Sequence, residues 1–134
     1  MSALRERIDA RVNQVARRLA LDIDQRVVLR TPVDTGRARS NWLVGLGAPR
    51  RDTNEKIGPG APRANEQAGQ IGPIGQLSIQ AANQVIGSAG NYQDIWISNN
   101  LPYILALEEG SSTQAAEGMA RIAVAEALRA NRGG

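Results

Sequence analysis

Leu4, Ile8, Val12, Val15, Leu19, Ile23 and Val27 recur every three or four residues from the start of the chain. On a helix turning about 100° per residue they fall in one stripe about 140° wide, which predicts a long amphipathic helix over residues 2–29. Pro32 ends it, because a proline pushes the residue before it out of the α region. Arg7, Arg11 and Arg18 share a neighbouring face. They read either as a basic ridge for a partner or as an ordinary solvated face, partly neutralised by spacings such as Arg18 to Asp22.

The stretch Thr31-Pro32-Val33-Asp34-Thr35-Gly36 predicts a tight corner, since proline fixes φ, Asp34 can bond the following backbone and Gly36 permits a positive φ. It leads into Trp42–Leu46, which reads as a short strand with a glycine inside it. Residues 48–74 read as a long arm or loop. Between Ala48 and Gln70 the only Leu, Ile or Val is Ile57, and three prolines and three glycines punctuate the segment. Such a stretch cannot build core, so it is either disordered or an arm that orders on a partner, with a short hairpin around Ile57 as the alternative.

Beyond the arm, alanine and glutamine favour a second helix over residues 78–87. Asp94–Ser98 has the β-branched and aromatic content of a strand, and Leu101–Leu107, with Pro102 in its first turn, predicts a short helix that stops at Gly110. A last helix is expected over 115–130. Met119 and Ile122 lie on one side of it and Val124 and Leu128 nearly opposite, so either a neighbouring subunit covers the second apolar face or alanine is there only as a helix former.

The chain has 134 residues, enough for about one domain spanning 1–134. Leu, Ile and Val total 30 and there is no Phe, so the core is expected to be aliphatic and thin. No apolar run approaches the roughly 20 residues needed to span a bilayer, and the polar start lacks a signal-peptide apolar region. A soluble chain made inside the cell, with no membrane partner, is the expectation. Of the 16 basic residues 15 are arginine. Residues 1–51 carry 11 basic and 5 acidic groups, net +6, whereas 52–134 carry 5 and 8, net −3. These complementary halves fit head-to-tail contacts between copies as well as nucleic-acid binding, and the scarcity of aromatics, Trp42, Tyr92, Trp96 and Tyr103, tips the balance towards self-assembly.

Cysteine and histidine are both absent, which removes disulfides, thiol catalysis, a Cys/His zinc site and any imidazole base. Asp34-Thr35-Gly36 matches the tripeptide of aspartic proteases. That chemistry, however, needs two buried carboxylates sharing a proton, and this one sits after a proline corner and before Arg37 and Arg39. Gly45-x-Gly47 lacks the third glycine and following helix of a dinucleotide site, and no phosphate loop is present. Glu108 and Glu109 are adjacent and point about 100° apart on a helix, so they do not flank one bond. No catalytic residue, cofactor or metal is expected, and the chain is not expected to be an enzyme.

Two segments together carry a family likeness. Thr31-Pro32-Val33-Asp34-Thr35-Gly36-Arg37 followed by Ser40-Asn41-Trp42, then Ile97-Ser98-Asn99-Asn100-Leu101-Pro102-Tyr103 followed by Leu107-Glu108, Gly110-Ser111-Ser112, Gln114-Ala115 and Gly118-Met119, resemble the small neck proteins of long-tailed bacteriophages. These are the tail-completion, head–tail joining or minor tail protein Z-like proteins. The likeness covers about half of the chain, and Ala116 departs from it where proline is expected.

The resemblance implies an α+β fold: a small twisted antiparallel sheet packed by the long first helix and the last helix, with a long arm. It also implies a ring, a hexamer, that caps the head-proximal end of the tail tube and docks it to the head connector or stopper protein. The protein would then reside in the virion neck, and in the host cytoplasm during assembly, with genome DNA a further partner if the lumen faces it. In that setting residues 31–36, with Pro32, Asp34 and Gly36, anchor the first helix to the sheet, and Trp42 and Trp96 pack between sheet and helices. Asn99 and Asn100 bond backbone at a strand-to-helix corner before Pro102, Tyr103 fills the space above it, and Gly110 follows. Interface contacts are expected between Arg37 or Arg39 and Glu108 or Glu109 of the next copy, with the arm reaching an adjacent ring. The alternative is a DNA-binding accessory protein using the Arg-rich first half.

Overall fold

The structure is a computed structural model that describes residues 2–33, 36–57, 67, 69–102, 104 and 118–132. Six elements follow one another: α1 (Ser2–Arg30), α2 (Arg37–Ser40), β1 (Leu43–Leu46), α3 (Pro73–Gly87), β2 (Ile95–Ser98) and α4 (Met119–Ala130). This is the expected α+β architecture, with a long N-terminal helix, a two-stranded antiparallel sheet and a C-terminal helix. No described helix is long and apolar enough to cross a membrane.

The two strands pair in the register Leu43↔Ser98, Val44↔Ile97, Gly45↔Trp96 and Leu46↔Ile95. An isolated two-stranded ribbon is marginal in water, so it needs a packed face. Val44 supplies that face together with Ile95 and Ile97, which pack with Ala20 of α1 and with Ala82 and Ile86 of α3. A second cluster lies nearer the far end of α1, where Val27 and Val28 meet Trp42, Ile79, Met119 and Ala123. Helix α1 is therefore the spine, and both α3 and α4 lie along its C-terminal half.

Small side chains make this close packing work. Met119, Ala123 and Ala127, four residues apart, form the buried stripe of α4, while Val124 and Leu128 on its other side are exposed. The second apolar face expected from the sequence is thus exposed among the described residues. Arg30 adds a two-pronged ion pair to Glu126 across the α1–α4 seam, at 2.7 and 2.8 Å.

Several expectations are corrected. The apolar stripe of α1 reaches the core only at its far end: Val27 is buried with Ala20, Asp24 and Val28, whereas Leu4, Ile8, Val12 and Val15 are 36–50% exposed. Trp96 is not a core residue; it is 44% exposed, since successive strand side chains alternate and Ile95 and Ile97 take the inner face. Helix α3 begins at Pro73 rather than at residue 78, with proline at its first turn, where no backbone N–H is needed. Residues 48–57 are not a free arm, because they are stitched to the body by hydrogen bonds described below. Asp34, Tyr103, Glu108, Glu109, Gly110, most of the short helix expected over 101–107 and residues 115–117 lie outside the described residues.

Candidate functional site

The sequence motifs converge on a buried polar knot at the C-terminal end of α1. A helix end leaves its last carbonyls without partners, and here a side chain from α2 supplies them. Arg39 is fully buried, and its guanidinium donates to Leu29 O (3.0 Å) and Thr31 O (3.1 Å). The same group donates to Gln70 O (2.5 Å) and Gln67 O (3.4 Å), which fixes the approach to α3. A guanidinium suits this place because it carries five donors in a rigid plane, and its charge complements the negative end of the helix dipole.

Thr31 closes the knot on the other side. Its hydroxyl donates to Val27 O (2.5 Å) and accepts the indole N–H of Trp42 (2.8 Å). Gly36 holds φ at 83°, the left-handed turn that lets α2 begin directly after the corner. The two likeness segments, some 60 residues apart in sequence, meet here: Asn99 Nδ2 donates to Ala38 O (3.0 Å) while its Oδ1 accepts Leu101 N–H (3.2 Å).

Asparagines also fasten the segment after β1. Buried Asn41 accepts Asn54 N–H (2.7 Å) and donates to Asn54 O (3.1 Å) and Arg37 O (2.9 Å). Asn100 donates to Arg50 O and Asp52 O, both at 2.8 Å. Arg37 reaches Ile57 O (3.2 Å) and the Glu55 carboxylate (3.3 Å). An asparagine side chain offers both a donor and an acceptor, so it can stand in for a missing strand.

The expected interface residues therefore separate into two groups. Arg39 is corrected from an interface residue to an internal one, because burial and its carbonyl acceptors commit it to the fold of its own chain. Arg37 is largely covered, with 11% of its side chain exposed, and is engaged in its own chain as well. Arg7, Arg11 and Arg18 are exposed on α1, beside the uncovered apolar stripe.

Asp24 went unnoticed in the sequence. It is fully buried at the centre of the α1 core face, and neither carboxyl oxygen has a hydrogen-bond partner among the described residues. Burial pushes its pKa up to about 7. Its place on the helix was readable, since Ala20, Asp24 and Val28 are spaced by four, but small or polar residues do not register as a hydrophobic stripe. No group of three or more Asp, Glu, His or Cys side chains among the described residues is arranged to hold a metal ion.

A cleft of about 430 Å³ opens between α2, β1, residues 54–57 and α3, lined in part by Trp42, Leu43, Ile57, Leu77 and Ala81. Apolar side chains share its walls with Ser40, Asn54, Ser78, Gln80 and Gln84, and among the described lining residues Lys56 is the only ionisable one. Comparisons with protein-family models, with curated proteins and with solved structures return no match.

Proposed function

We propose that this chain is a structural virion protein of a long-tailed phage, a tail-completion ring subunit that caps the tail tube and joins it to the head connector. The observation that carries the reading is the pair of motif segments, Thr31–Trp42 and Ile97–Tyr103, whose described residues bond to each other and to the end of α1. Such residues serve shape: they lock a helix, a corner and a ribbon into one rigid body, as a repeated building block requires. The exposed Val124 and Leu128 on α4 and the apolar stripe on α1 supply surface for contacts between copies or with tail and head proteins. The reading assigns no catalytic residue and no cofactor.

A second reading, a DNA-binding accessory protein, draws on the exposed Arg7, Arg11 and Arg18. Against a broad basic surface, Arg26, Arg30, Arg37 and Arg50 pair with Asp22, Glu126, Glu55 and Asp52 of the same chain. Duplex binding that falls steeply as salt rises would mark this function.

Electron microscopy of particles labelled with an antibody to this chain tests the first reading. Label at the head–tail junction is expected; label at the distal tip, or none on infectious particles, contradicts it.

A further inference from the structure

The N-terminal half of α1 carries an apolar seam that the other described residues leave exposed. Leu4, Ile8, Val12 and Val15 are 47%, 50%, 40% and 36% exposed. The same segment is held in place elsewhere around the helix: Arg17, opposite the seam, donates to Ala89 O, and Tyr92, flanking Leu4 and Ile8, donates its Oη–H to Asp9 at 2.8 Å. At about 100° per residue, Arg17 lies roughly 175° and Asp9 roughly 105° around the helix from the seam's centre, so the fold presents the seam outward.

The seam has a defined shape. Its spacing of four, four and three residues repeats at about 3.67 per turn, which keeps a stripe nearly straight along the helix. Further along the same side of the helix, Arg30 bonds Glu126 of α4, and Asp22 accepts from Asn131, the residue that follows α4. The occupant that fits a straight, one-residue-wide aliphatic seam is another helix.

Charge selects which helix. Arg7, Arg11 and Arg18 form a row along one edge of the seam, roughly 75° from its centre. A second copy's α1 laid antiparallel would set this row against itself. The exposed face of α4, where Arg121 adjoins Val124 and Leu128, is also basic. Duplex DNA would meet the arginines but leave the aliphatic seam uncovered. A bilayer surface favours a broader face with Trp or Phe, and the seam has neither.

We infer that the N-terminal half of α1 is the docking site for an amphipathic helix of a partner protein, one with small aliphatic residues facing the seam and a row of Glu or Asp along the edge that meets Arg7, Arg11 and Arg18. This inference is independent of the neck reading, because it follows from the helix and its flanks alone.

The test uses the full chain as bait for a library of synthetic helical peptides of about five turns, with a fixed aliphatic seam and with Glu, Gln or Lys at the edge positions. Enrichment of Glu along one edge, several-fold over Lys, is expected. Binding of the selected peptides should weaken about tenfold or more with Ile8→Asp, and the edge preference should turn to Lys in the Arg7→Glu/Arg11→Glu/Arg18→Glu variant. Both variants change exposed positions, so circular dichroism should show them folded. Four results would overturn the inference: no enrichment above a control bait; enrichment without an edge preference; displacement by duplex DNA or by phosphatidylserine vesicles that bind tighter than the peptides; or a dimer of the chain that Ile8→Asp dissolves.

Discussion

The indole N–H of Trp42 donates to the hydroxyl of Thr31 at 2.8 Å, and both side chains are buried where α1 ends. The same hydroxyl donates to Val27 O, so one oxygen ties the last turn of the helix to the residue that precedes β1. Thr31→Val keeps the shape and leaves the indole N–H buried without an acceptor. A loss of about 1–3 kcal/mol in urea denaturation is expected. In a double-mutant cycle with Trp42→Phe, a coupling of at least about 0.5 kcal/mol is expected.

Arg39 behaves as part of the core. Arg39→Glu buries an unpaired carboxylate against four carbonyls and should unfold the chain even at low concentration, read by far-ultraviolet circular dichroism. Arg39→Lys loses the planar fork and should cost about 1.5–3 kcal/mol. A dilute Arg39→Glu protein with an unchanged melting temperature would move this side chain to the surface.

Asp24 makes stability depend on pH in the opposite sense to an ion-paired carboxylate. Its pKa rises from 3.8 to about 7 on folding, so between those values the folded state holds more protons than the unfolded one. The stabilising contribution of the protonated form is complete below about pH 3.8 and is lost as pH rises through 7. The span is on the order of 4 kcal/mol for a shift of about three pH units. Denaturation at pH 5 and pH 8 should show the wild type weaker at pH 8, and Asp24→Asn should remove most of that difference.

Gly45 and Gly47 separate close approach from backbone conformation. A Cβ at position 45 would lie 2.3 Å from Ala48 O, a backbone atom, so Gly45→Ala must displace the chain after β1 and should cost about 1–3 kcal/mol. Position 47 has open space but φ of 78°, so Gly47→Ala should cost only the conformational penalty, about 1 kcal/mol. Thermal melts of the two variants should rank them in that order.

Local signals were legible where one residue decides the outcome. Pro32 marks the end of α1 to within one residue, Gly36 takes the positive φ that its corner needs, and the β-branched pair Ile95 and Ile97 marks β2. What escaped reading is tertiary. The core face of α1 is built from Ala20, Asp24, Val27 and Val28, because α3 and α4 pack on the C-terminal half of the helix, and nothing in the pattern of Leu4, Ile8, Val12 and Val15 reveals that their half of the stripe is left exposed. The family likeness implies a core place for Trp96, although the period-two alternation that turns Ile95 and Ile97 inward turns it outward. Arg39 looked like surface charge, because nothing in the sequence reveals that four carbonyls converge on it. Pro73 was a readable helix start, masked by Gly72 and Gly75 on either side.

The central claim is that the chain works as a repeated building block of the virion. Quantitative mass spectrometry of purified infectious particles, calibrated with isotope-labelled peptides of this chain, measures it most directly. The account predicts a fixed number of copies per particle equal to one closed ring, about six for the hexamer. Absence of the chain from infectious particles, or a copy number that varies with its expression level, would contradict it.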